Sequence, residues 1–425
     1  PPQILSSLKV IYDGISQNHI AIHGPDKFII LIYLFTHYSE EIQIFVLSII
    51  EEMLKYSDEA PYEYIKREFT PLLFEILHNS DNLSIKIKIF YIMFYIIPSE
   101  NDDILFQFCL DNHFIDILLN EYAAQLQVLL ANPVDRTAED ILYPVLSSLL
   151  TFFKFPELIE SDLYGLIFRI SSDILEKRND HQCFDLLVKD VIFSANDLVG
   201  KVDFVVFVES GFIHQLISMI HEEILYPQLH SKCFFLLGHL IFSYPEKKGE
   251  IASNVDLLSL CHKSMGINDG TSFTADDNEY LEAFFFFLTN IHDLIDLRLL
   301  YEKQFYHWCI HISQLTSYKS QKSICYFMIS VLSSANPEVI LSIFMIDDFA
   351  PFIFDFLKVA KQKLLAESFC CFQRIMTIIP DFNERFPQFI PEFFSLIERA
   401  EQMETDEIET LAQNLKKLLE SSIDC

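Results

Sequence analysis

The residues best spaced for chemistry lie in FYHWCIHIS. There His307 and His311 are four apart on what reads as one helix, a spacing at which two imidazoles can share a zinc ion, with Cys309 between them. At helical pitch Cys309 is turned about 200° from His307, so its thiolate cannot join the same ion. No H-E-x-x-H accompanies the pair, and no metal is expected. His19 and His23 repeat the spacing, but Gly24 and Pro25 interrupt any helix there. The nine Cys contain no C-x-x-C and mostly sit singly in apolar runs such as SKCFFLLG and SICYFMIS, the pattern of reduced core thiols.

Carboxylates occur in runs such as Glu51-Glu52 and Asp102-Asp103, which read as helix caps and solvated faces near helix ends. General acid–base chemistry needs such groups buried beside one another, and nothing in their spacing calls for that. With only nine Gly, and without G-x-x-x-x-G-K-[ST], G-x-G-x-x-G or G-x-S-x-G, the chain offers no phosphate-cradling loop and no nucleophile elbow. The expectation is a protein without catalytic residues or cofactors.

Charge narrows the partners. The 425 residues carry 30 Lys and Arg against 61 Asp and Glu, a formal charge of −31, which repels phosphate backbones and anionic membrane faces. Nucleic acid is disfavoured, and basic or mixed basic and apolar protein segments are the electrostatic complement. Hydrophobic residues make up 51% and mean hydropathy is +0.25, yet the uncharged windows at Phe28–Ser39, Ile141–Phe153 and Ser323–Pro337 are too short or too interrupted to span a bilayer. PPQILSSLKV has no basic stretch ahead of an apolar core, so a cytoplasmic protein is expected, with the nucleus as the alternative. The 41 Phe are read as compositional bias rather than as a binding signature.

Scarce glycine, no sustained period-2 alternation, and apolar residues at i, i+3, i+4 and i+7 point to an all-α chain. A unit of helix, tight break and further helix recurs: FCLDNHFIDILL, FVESGFIHQLI and FMIDDFAPFIFDFL share it. The first apolar residues after each break are Phe28, Phe69, Phe114, Leu163, Phe212, Val255, Phe305, Phe349 and Phe389, spaced 40 to 50 apart. A further apolar helix follows each, as in LHSKCFFLLGHLIF and SQKSICYFMISVLSS.

This layout resembles the armadillo/HEAT family of α-solenoids. The resemblance implies a right-handed α-α superhelix of about nine repeats over 1–400, closed at 401–425 by a capping helix packed on the last repeat, with Ile408, Leu411, Leu415, Leu418 and Leu419 as its apolar stripe. It also implies that Gly211, His113, Asp348 and Glu68 stand at a sharp turn that favours positive φ. The breaks at Ala131–Asp140 and His262–Tyr280 read as longer loops.

In the same family the third helix of each repeat lines the concave face, and members that carry nuclear-import cargo pair Trp with Asn four residues on. The matching positions here are Tyr91 and Tyr95, Phe235 and His239, Phe286 and Asn290, and Phe327 and Val331. Only Asn290 matches the pattern, and Trp308 falls in a second helix. The resemblance therefore implies a non-catalytic scaffold or adaptor within a larger complex. It holds a partner protein segment at Tyr91, Tyr95, Phe235, His239, Phe286, Asn290 and Phe327. A nuclear-transport-type receptor for basic cargo and a regulatory subunit of an enzyme complex are the alternatives.

Overall fold

The computed structural model describes residues 2–17, 25–56, 69–97, 103–154, 161–223, 227–266, 273–403 and 406–423. Every regular element among them is helical, as the apolar periodicity requires. Contacts divide the chain into two compact units, Pro1–Phe212 and Ile213–Cys425.

The first unit opens with α1 (Pro2–Ser16), α2 (Pro25–His37) and α3 (Glu40–Tyr56). There follow α4 (Thr70–Asn79), α5 (Leu83–Ile96), α6 (Asp103–Asp111), α7 (Phe114–Ala131) and α8 (Arg136–Thr151). It continues through α9 (Ser161–Lys177), α10 (Gln182–Asp197) and α11 (Phe204–Glu209), and the unit boundary falls at the first residue of α12 (Phe212–His221). Helices α1, α3, α5, α8 and α10 pack in succession as one row. Between 161 and 197 the repeat shows two long helices, α9 and α10; the stretch ahead of them, 155–160, lies outside the described residues.

The second unit continues with α13 (Pro227–Ser243), then α14 (Lys248–Ser253), α15 (Leu257–Met265) and α16 (Ala275–Ile291). Two similar triplets follow, α17 (Leu297–Glu302), α18 (Phe305–Ser313), α19 (Tyr318–Ser334), and α20 (Pro337–Phe344), α21 (Phe349–Val359), α22 (Gln362–Ile378). The last is α23 (Phe382–Arg385), α24 (Ile390–Glu401) and α25 (Asp406–Ile423). Third helices α13, α16, α19, α22 and α25 are consecutive neighbours, and so are second helices α15, α18, α21 and α24, which makes two layers.

The recurrent break has one backbone cause. Gly211 takes φ +76°, and His113, Gln304 and Asp348 take φ 55°, 63° and 64°, each immediately before the phenylalanine that opens a second helix. Those phenylalanines, Phe114, Phe212, Phe305 and Phe349, are fully buried, and each meets an aromatic ring of an earlier helix, as Phe114 meets Phe74 at 5.1 Å and Phe349 meets Phe344 at 5.0 Å. These four phenylalanines are thus a core device set at repeat-equivalent positions. Glu68 lies outside the described residues.

The repeat period is also written in hydrogen bonds 42 residues apart. Asn82 donates to Glu40 at 2.8 Å, Ser320 to the Asn278 carbonyl at 3.0 Å, and Arg374 to the Leu332 carbonyl at 3.0 Å. Caps define the helix starts: Asp135, Asp203, Asp256 and Asp296 each accept a backbone N–H of the first turn, and Thr274 and Asp277 form a reciprocal box. The expected long loops shrink accordingly. Only 132–135 separates α7 from α8, and α15 and α16 consume both ends of 262–280, of which 267–272 lies outside the described residues.

Helix α25 buries Ile408, Ala412, Leu415 and Leu419 against α22 and α24, while Leu411 and Leu418 are half-buried. Gln373 donates to the Leu411 carbonyl at 2.7 Å. One helix among the described residues, α7, is long and apolar enough to cross a membrane. It carries Asp116 and Glu121 and packs Phe114, Ile115, Leu118, Tyr122 and Leu129 inside its repeat, where it serves as the second helix.

Candidate functional site

The expected site residues lie on third helices, whose outward stripes combine half-buried aromatics with few charges. In the first unit Tyr91 and Tyr95 stand one turn apart on α5, both half-buried. Tyr91 meets Tyr143 of α8 at 6.4 Å, and Phe94 lies 5.1 Å from Tyr95 and 6.3 Å from Tyr143. Tyr143 was not legible as a member, because the chain brings it in from 52 residues beyond Tyr91.

Beneath this patch are Glu51 and Glu52 of α3, only 5% and 9% exposed. They are not the solvated pair their sequence suggested. Glu51 binds Lys55 at 2.9 Å and Lys88 at 2.7 Å, and Glu52 binds Lys55 at 3.1 Å, so charge is neutralised where solvent is lost. Burial, then Asp140 and Glu51, push the Tyr91 phenol up to about 12. Burial also raises Tyr95, against the opposing pull of Lys55. Burial alone would lower the Lys55 ammonium, but its bonds to Glu51 and Glu52 outweigh this and raise it. These tyrosines stay protonated hydroxyl donors beside carboxylates throughout the physiological range.

In the second unit Phe235 and His239 on α13 and Phe286 and Asn290 on α16 are half-buried, with Phe235 and Phe286 5.8 Å apart. Gly238 permits the approach: a Cβ there would fall 2.7 Å from Phe286 Cδ1 and 3.4 Å from the backbone of Phe287. Asn290 donates to its own helix at the Phe286 carbonyl, 2.8 Å, so its amide nitrogen does not reach outward in the way an Asn ladder needs. The stripe of α13 continues to Phe242, which is 67% exposed and was missed in the sequence.

Phe327 is a correction. It is fully buried against Phe285 at 5.6 Å and Phe305 at 6.1 Å, inside the core rather than on a face that meets partners. The half-buried neighbour at that level is Tyr326, with the Lys322 ammonium 5.8 Å from its ring centroid. Trp308 lies on α18, a second helix, stacked on Phe285 at 6.0 Å.

For other chemistry the arrangement offers little. Cys309 is fully buried and His311 exposed, so the HWCIH residues diverge; among the described residues no group of three His, Cys, Asp or Glu could hold a metal ion. His19, His23 and Cys425 lie outside the described residues. The other eight Cys are free thiols rather than disulfides, and seven are buried; Cys370, on α22, is exposed.

No protein-family model matches the sequence, and no curated protein matches it. Among solved structures the chain is similar to Kap95p in its complex with RanGDP, described in the context of nuclear import complex assembly. The match has a TM-score of 0.59 at 10% identity and covers 99% of this chain and 50% of that one, so this chain spans about half its length. At that identity the likeness is one of fold: the chain is an all-helical α-solenoid of the armadillo/HEAT kind.

Proposed function

We propose that the chain is a non-catalytic scaffold or adaptor that holds a segment of a partner protein along the outward faces of its third helices, within a larger complex. The observation that carries this reading is the repeated placement of half-buried aromatics there, Tyr91, Tyr95 and Tyr143 in one unit and Phe235, Phe286 and Tyr326 in the other. Half-buried aromatic surface gains most from being covered by a partner, because rigid rings lose little entropy on binding. On this reading α25 caps the last repeat of a solenoid over 1–400, and the protein works in the cytoplasm.

The first unit suits a basic or mixed basic and apolar segment. It carries 14 Lys and Arg against 32 Asp and Glu, and Asp140 adjoins Tyr91. The test is affinity purification of the chain from its native cell, followed by binding of the recovered partner to wild type and to Tyr95→Ala/Tyr143→Ala. Binding that weakens in the variant, and as salt rises from about 50 to about 500 mM, supports the reading. A partner indifferent to both contradicts it.

The likeness to Kap95p favours a second reading, a nuclear-transport-type receptor that shuttles between cytoplasm and nucleus. Direct titration with purified Ran in each nucleotide state separates the two: saturable binding supports the receptor, and none excludes a Kap95p-like use of the fold. A recovered enzyme whose activity changes on binding would point instead to a regulatory subunit.

A further inference from the structure

We infer that the third-helix face of the second unit binds an uncharged, apolar protein segment, by contact rather than by charge. This rests on the third-helix reading above and goes beyond it in naming the chemistry of the segment. The second unit carries 16 Lys and Arg against 29 Asp and Glu. Yet its third helices α13, α16, α19, α22 and α25 together carry 7 Lys and Arg against 9 Asp and Glu, so nearly all of the net charge of −13 lies elsewhere in the unit. A cationic segment laid on these helices meets little excess of negative charge, and an anionic one no excess of positive.

Four polar groups beside the aromatic stripe are already engaged within the chain. Asn290 donates to the Phe286 carbonyl at 2.8 Å and Thr289 to the Phe285 carbonyl at 2.7 Å. Lys232 is held by Glu279 at 2.6 Å, and the Lys322 ammonium lies over Tyr326. Phe235, His239 and Phe242 form a stripe at i, i+4 and i+7, with Phe242 67% exposed. The surface therefore selects for aromatic and branched apolar side chains and against net charge of either sign.

The test is selection of a random phage-displayed peptide library on the full chain, then anisotropy titration of the enriched peptides. Titrations use wild type, Phe242→Ala, Tyr326→Ala and, for the first unit, Tyr95→Ala/Tyr143→Ala. Phe242 is exposed enough for its variant to fold, and melting curves verify each protein. The inference expects a peptide class rich in Phe, Leu, Ile or Trp and without excess Lys or Arg. Its Kd should rise about tenfold in Phe242→Ala or Tyr326→Ala and change less than about twofold between about 50 and about 500 mM salt. Basic, salt-sensitive peptides that depend on Phe242 or Tyr326 overturn the inference and leave the third-helix reading standing. Peptides indifferent to every variant, or no enrichment at all, overturn both.

Discussion

Arg374 on α22 reaches 42 residues back to the end of α19, donating from Nη1 to the Leu332 carbonyl at 3.0 Å and from Nη2 to the Ala335 carbonyl at 2.8 Å. Arg399 on α24 grips the end of α21 in the same way, through Leu357 and Ala360. The last carbonyls of a helix lack partners within it, and a cation there also meets the negative end of the dipole. Arg374→Met keeps the stem's packing but removes both bonds and is expected to cost about 2 kcal/mol. The urea midpoint should fall with the slope unchanged. An unaltered midpoint contradicts the role.

Gly211 holds φ +76°, and an added Cβ would lie 3.3 Å from Ser172 Oγ. Gly211→Ala is expected to destabilise by about 1 to 2 kcal/mol. Asp348→Gly and Gln304→Gly, at equivalent turns with φ 64° and 63°, relieve left-handed strain and should be neutral or stabilising by up to about 1 kcal/mol. Thermal melts of the three variants check the ordering, and a Gly211→Ala protein as stable as wild type would contradict it.

The turns were legible because their cause is local: a break followed by a phenylalanine is visible at Gly211, His113 and Asp348 in the sequence alone. The site register was not. Neighbouring residues on a helix differ by about 100°, and Tyr326 and Phe327 are both aromatic, so composition could not decide which faces outward. The burial of Glu51 was hidden for another reason, since Lys88 comes from the next third helix, 37 residues away.

Glu51 joins two lysines, each about a third exposed, so its removal leaves charges that can turn to water. Glu51→Gln is expected to cost about 1 to 2 kcal/mol, less than a fully buried pair. It should also lower the Tyr91 phenol's pKa, because Glu51 is among the causes that raise it. Ultraviolet titration of the phenols against a Tyr91→Phe background identifies the shift, and an unchanged titration contradicts the contact.

His221 Nε2 accepts the Asp256 backbone N–H at 3.2 Å, a bond that needs the neutral ring. Burial, then Lys263, lower its pKa below 6.5, against the pull of Asp256. Its stabilising contribution is therefore present above about pH 6.5 and lost as pH falls through the lowered folded value. His221→Gln should show a smaller loss of stability than wild type between about pH 7.5 and about pH 5. An equal or larger loss contradicts the assignment.

The most direct test of third-helix binding is site-specific photocrosslinking in the native cell. A benzophenone amino acid is placed in turn at Tyr95, Phe242, Met345 and Val359. Phe242, Met345 and Val359 are 67%, 72% and 63% exposed, so accessibility alone does not favour one of them. Met345 and Val359 stand at the ends of α20 and α21, a leading and a second helix. The account predicts partner crosslinks from Tyr95 and Phe242 and none from Met345 and Val359, and crosslinks confined to Met345 and Val359 would contradict it.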